Sequence, residues 1–141
     1  MKKLLCALCA CFALNAGAQP SAPDIPFESV PDFLKLPEGM NFGEVPGVAV
    51  NSKGHIFVFT RSNSAQGPAY APAAAQLLEF DRNGNYLREI GKGLYGWAFA
   101  HTVRIDRDDN IWAVDKGSDM IVKFNPAGRV VWVFEIGRAH V

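Results

Sequence analysis

Two residues in this chain combine a chemically versatile side chain with a place at the end of an apolar run. His101 stands just before VRIDRDDNIWAVDK (103–116), and Arg61 closes VAVNSKGHIFVFTR (48–61). An imidazole is a metal ligand or proton carrier near neutral pH. A guanidinium holds a carboxylate through two parallel hydrogen bonds. A histidine before a strand also serves as a turn residue bonded to backbone, and a strand-end arginine also serves as a solvated charge. The remaining candidates are weaker. His55 falls in the Lys53-Gly54 turn and is expected to be exposed and not a ligand. Asp115 is expected to cap a turn. Asp106, Asp108 and Asp109 in DRDDN have the composition of a calcium loop. An EF-hand loop needs a glycine at its sixth position and a later glutamate, and neither is present, so DRDDN reads as a hairpin turn. Trp97, Trp112 and Trp132 are expected to pack between sheets rather than to form a sugar platform, with Tyr95-Gly96-Trp97 able to line a site near His101.

The elements that must position His101 and Arg61 are strands. VAVNSKGHIFVFTR (48–61) and VRIDRDDNIWAVDK (103–116) are each strand, polar turn, strand. LLEFDRNGNYLREIG (77–91) and IVKFNPAGRVVWVFE (121–135) repeat the plan with Asn/Gly/Pro turns. Polar turns between β-branched and aromatic runs are hairpin signals. Asn51 and Asp106 are 55 residues apart, whereas Phe80 and Phe124 are 44 apart. The difference falls in one insertion, SNSAQGPAYAPAAAQ (62–76). The basic unit is therefore about 44 residues and four antiparallel strands, the sequence mark of a β-propeller blade. IWAV (111–114) and VVWVF (130–134) are apolar on both faces, as expected of a sheet sandwiched between other sheets.

In a blade, the residue before the first strand and the residue after the second lie at the same rim. His101 and Arg61 are thus expected at one mouth, on adjacent blades, with loop 62–76 overhanging it. The segment IWAVDKGSDMIVKFNPAGRVVWVF (111–134) resembles an NHL repeat, and the first copy resembles it more loosely. The resemblance covers about residues 45–137 and implies an all-β fold: a propeller fragment of about two blades plus an N-terminal strand, from a six-bladed parent.

A narrower resemblance is to the peptidyl-α-hydroxyglycine α-amidating lyases, six-bladed NHL-type propellers with a central zinc held by three histidines. FAHTVRIDRDDNIWAVD (99–115) is similar to the segment holding the first of them, where His101 matches. PGVAVNSKGHIFVFTR (46–61) is similar to the segment before an active-site arginine, where Arg61 matches. A structural calcium in the family is bound partly by backbone carbonyls at positions corresponding to Val48 and Val103. The resemblance implies a lyase that cleaves a hydroxyglycine C–N bond to an amide and glyoxylate. Three neutral imidazoles leave zinc an open fourth position, and zinc acidifies a bound hydroxyl. The other two histidines, a tyrosine base and a second arginine would lie beyond Val141, so this chain alone is expected to be inactive. The competing reading is a non-catalytic NHL propeller that binds or scaffolds at the cell envelope.

The ends carry their own signals. Lys2-Lys3, the apolar run Leu4–Leu14 and the small-x-small site Ala16-Gly17-Ala18 form a bacterial secretory signal over 1–18. The expected location is periplasmic or secreted, without stable membrane insertion, because the apolar run falls short of the roughly 20 residues a span needs. Lipidation at Cys11 ranks second. All three cysteines lie in this segment, which leaves the mature chain no disulfide and no thiolate site. Residues 19–41 are a Pro-rich leader in which Phe33-Leu34-Lys35-Leu36 alternates as a short strand able to close a ring. Residues 42–137 hold the two blades. EIGRAHV (135–141) breaks the pattern, reads as a translated sequencing adapter and is expected to be non-native, giving His140 no weight. Lysines and arginines equal aspartates and glutamates at 14 each, which gives no sign of a nucleic-acid partner. The partner expected is a small molecule or peptide.

Overall fold

The computed structural model describes residues 22–61 and 75–135. Among these residues the fold is all-β, with no helix. Eight strands form two four-stranded antiparallel sheets. The first holds β1 (Glu44–Val50), β2 (Ile56–Arg61), β3 (Ala75–Phe80) and β4 (Tyr86–Ile90) in that order. The second holds β5 (Ala100–Ile105), β6 (Ile111–Asp115), β7 (Met120–Phe124) and β8 (Val130–Glu135). Of the inserted segment 62–76, residues 75 and 76 begin β3 and the rest lie outside the described residues, as do the signal segment and all but Glu135 of the 135–141 tail.

The two sheets are the same unit in register. Ile56 pairs with Phe80 and Leu77 with Ile90; Ile111 pairs with Phe124 and Ile121 with Phe134. A register break between Glu79 and Phe80 recurs between Lys123 and Phe124. Another, between Glu44 and Gly47, recurs between Ala100 and Thr102. The spacings of 55 and 44 residues therefore relate structurally equivalent positions.

One turn chemistry closes the β1–β2, β3–β4, β5–β6 and β7–β8 hairpins. Asn51, Asp81, Asp106 and Asn125 each accept, on Oδ1, the amide hydrogen of the residue four positions on, at 2.8–2.9 Å. The residue three positions on takes a positive φ: Gly54, Gly84 and Gly128 in three turns, Asp109 at 60° in the fourth. An Asx side chain that mimics a backbone turn explains why each of these four turns begins with Asn or Asp. These turns lie at one edge of the sheets, which leaves Glu44, Arg61, Ala100 and Asp115 at the other.

A shared core joins the sheets. Phe57, Phe59, Leu77 and Ile90 of the first sheet pack against Ile111, Ala113, Val122 and Phe124 of the second. Trp97, fully buried, sits between Phe59 and Phe124 with ring centroids 4.8 and 5.8 Å away. Close approach of β1 to β5 requires Gly47, since a β-carbon there would lie 2.7 Å from the Val103 amide nitrogen. On its other face the first sheet is covered by the leader: Leu34, Leu36, Met40 and Phe42 pack on Val58, Leu78 and Phe80. Phe33–Leu36 contributes a single parallel bridge, Lys35 to Asn85, rather than a strand. The far face of the second sheet is uncovered among the described residues, and every residue of β8 is exposed.

Candidate functional site

The edge opposite the hairpin turns is built around the start of β5. Ala100 pairs with Asp115 and Thr102 with Val114, which leaves His101 as the extra residue of a β-bulge. A bulge frees one residue from the ladder and re-aims its side chain. His101 is accordingly exposed, with no side-chain partner among the described residues.

The backbone entering this bulge is held by Asp115. Its fully buried carboxylate accepts hydrogen bonds from the amides of Ala98, Phe99, Gly117 and Ser118, at 2.8–3.0 Å. The Ser118 hydroxyl, which donates to the Gly96 carbonyl at 2.8 Å, also lies 3.2 Å from the Asp115 carboxylate. A buried carboxylate is tolerable only when donors replace its lost water, and here backbone amides supply most of them. The expected turn-capping role of Asp115 is thus met, and the turn it caps is the approach to His101. Thr60 plays the same part in the first sheet. Its hydroxyl accepts from the Gly43 amide at 3.1 Å and donates to the Glu44 carbonyl at 3.3 Å.

Arg61 reaches the same edge from the neighbouring sheet. Its Nε donates to the Ala100 carbonyl at 3.0 Å, one residue before His101. Its guanidinium lies over the Phe99 ring, 3.7 Å from the centroid, and pairs with Glu44. The Arg61 side chain is only 16% exposed, so its contacts with the Ala100 carbonyl and the Phe99 ring are shielded from water, whereas Glu44 is 62% exposed and its pairing is solvated. The topology thus brings Arg61 and the His101 bulge together across two sheets. The first-sheet equivalent of His101 is Pro46, which offers no ligand.

Other candidates are placed elsewhere. Val48 is exposed on β1 opposite Val58, whereas Val103 is buried on β5. The Val103 carbonyl accepts from the Arg104 guanidinium at 2.9 Å, so a calcium ion there would have to displace a cation. His55, expected to be exposed, is half-buried. Its Nδ1 lies 2.8 Å from Oε1 of buried Glu79, whose Oε2 accepts from Arg88 Nε at 2.6 Å. Arg88 continues to the carbonyls of Pro126 and Ala127, at 2.8 and 2.7 Å, so this cluster ties the first sheet to the β7–β8 turn.

DRDDN forms the expected hairpin turn. The Trp112 indole N–H, followed by Asn110, holds the Asp106 carboxyl well below the usual carboxylate range. Asp109 is likewise lowered, by the hydroxyl and then the amide of Ser52. That bond joins the two sheets at the turn edge, far from His101. Tyr95 is exposed and lines a shallow apolar hollow with Met120 and Val130. No cluster of three potential metal ligands occurs among the described residues.

The bulge at His101 and the Arg88 and Asp109 links escape a reading of hydrophobic pattern. For His101 and Asp109 themselves the 55-residue spacing marks a difference: their counterparts are Pro46 and Gly54.

No family model matches the sequence, and no curated protein matches it. Among solved structures, the chain is similar to a protein of unknown function from Bacteroides caccae, with a TM-score of 0.36 and 14% identity. The similarity covers 72% of this chain and 48% of that one, so this chain matches about half the length of its structural relative.

Proposed function

We propose that the two sheets are successive blades of an exported NHL-type β-propeller and that the edge carrying His101 and Arg61 is its ligand-binding mouth. The observation that carries this reading is the His101 bulge: an exposed imidazole, freed from the ladder and set beside an arginine from the neighbouring sheet. In a complete ring this edge would supply one imidazole to a zinc site of the kind implied by the lyase resemblance. The described residues do not form that site alone. Asp115 is occupied by backbone donors and Glu44 by Arg61, which leaves His101 without companions. We therefore take the full ring, and not this chain, as the lyase.

The test is turnover of a peptidyl-α-hydroxyglycine by the full-length protein bearing these two sheets, with glyoxylate as the readout. Turnover that is lost in His101→Ala, while the protein stays folded, is the expected result. A folded full-length protein with no turnover would overturn the lyase reading. One observation favours the second reading, a non-catalytic binding module. Arg61 is already engaged by Glu44, the Ala100 carbonyl and Phe99, an arrangement suited to bracing the mouth.

A further inference from the structure

The edge that carries His101 repeats one arrangement with one exchange. Glu44 and Arg61 are a cross-strand pair at the ends of β1 and β2. The 55-residue spacing carries them to Phe99 and Lys116, also joined across strands, with the Lys116 amide donating to the Phe99 carbonyl at 2.9 Å. A cation thus recurs at the same end of each sheet's second strand. Its partner is a carboxylate in the first sheet and a phenyl ring in the second. That ring serves both cations. The Arg61 guanidinium lies 3.7 Å from the Phe99 centroid and the Lys116 ammonium 5.8 Å from it, each within the range of a cation–π attraction.

Arg61 does not depend on Glu44 to hold its place. Its Nε donates to the Ala100 carbonyl, its guanidinium rests on Phe99, and the side chain is largely buried. Lys116, at the equivalent place, makes no salt bridge at all among the described residues. The Glu44 side chain is mostly exposed, and its carboxylate accepts from Arg61 Nη1. An exposed ion pair of this kind is weakly held. A guanidinium that seats one carboxylate seats another of the same geometry.

We propose, on the reading of this edge as the ligand-binding mouth, that Glu44 is a built-in occupant of a carboxylate seat formed by Arg61 and Lys116 about the Phe99 ring, and that a ligand carboxylate enters by displacing it. The exposed Glu44 side chain swings into water, while Arg61 stays fixed by Ala100 and Phe99. The incoming carboxylate gains the field of Lys116 as well. A neutral ligand has nothing with which to displace Glu44, so this residue sets a threshold that selects for acids.

The experiment titrates the full-length protein bearing these two sheets with N-acetylglycine, and with the uncharged N-acetylglycinamide. NMR follows the glutamate side-chain carboxyl carbons, with the Glu44 signal assigned by its loss in Glu44→Gln. N-acetylglycine is expected to shift that signal saturably, and the amide to leave it unmoved. Glu44→Gln is expected to bind N-acetylglycine about two- to fivefold more tightly than the wild type, and Lys116→Gln about two- to fivefold more weakly. Both residues are exposed, so both variants are expected to keep the wild-type circular dichroism. Binding that weakens in Arg61→Lys but leaves the Glu44 signal unmoved, or is no tighter in Glu44→Gln, would overturn the proposal and leave the mouth standing. No binding of N-acetylglycine to any of these proteins, or binding indifferent to Arg61→Lys and Lys116→Gln, would overturn the mouth reading with it.

Discussion

The two sheets share strand register, both bulges and the chemistry of their turns, yet they differ wherever they touch something else. At the first bulge the chain places Pro46; at the second it places His101, the exposed imidazole. Below the first bulge a threonine hydroxyl holds the backbone; below the second the buried Asp115 carboxylate gathers four backbone amides. A glycine completes the first β-hairpin, whereas its counterpart Asp109 accepts a left-handed backbone and reaches across to Ser52. The difference teaches that the repeated unit supplies a frame, and that the departures between copies mark the joints and the chemistry.

The largest effect is expected at the joint between the sheets. Trp97→Ala should cost about 3–5 kcal/mol in urea unfolding, the usual loss for a large buried aromatic. Trp97→Phe should be much milder, since the buried indole N–H has no partner among the described residues and nothing is lost with it. Next, Asp115→Ala should cost about 3 kcal/mol by stranding buried amides, whereas Thr60→Ala at the equivalent place should cost about 1 kcal/mol. Equal costs would break the contrast between the two bulges.

Asp109 sharpens the comparison at the opposite edge. Asp109→Ala should lower the melting temperature, because the Ser52 bonds go while the positive φ remains; Asp109→Gly should recover part of that loss. Thermal scans of both variants read the order. The smallest effect concerns acid. Asp81, Asp106 and Asp109 titrate below the ordinary 3.8 when folded. Their stabilising contribution is therefore complete above the unfolded value and is lost as pH falls through the lower folded values. Melting temperature should decline below about pH 4, and Ser52→Ala should raise the Asp109 titration midpoint, followed by NMR, towards its ordinary value.

Much of this frame is legible in the residues alone. The spacings of 55 and 44 residues locate both sheets and all eight strands, because paired strands in one register force equivalent residues to recur at fixed intervals. The leader is harder. Phe33–Leu36 alternates like a strand, but its apolar side chains seat on Val58, Leu78 and Phe80, and only Lys35 enters a bridge. Alternation reports a face to bury, not the partner that buries it. His55 departs from expectation for a related reason. Its partner Glu79 lies on the adjacent strand β3, and a turn position gives no sign of a bond to a residue so far along the chain. The rim shared by Arg61 and His101 follows from topology alone, but the bulge does not, since one unpaired residue leaves no trace in hydrophobic pattern.

On the proposed reading, His101 is the chemical departure within a repeated frame. Zinc content of the folded full-length protein tests this most directly, by elemental analysis of the wild type against His101→Ala. Bound zinc is expected in the wild type and its loss in the variant, with β-sheet content unchanged. Zinc retained in full by His101→Ala, or absent from a folded wild type, would contradict it.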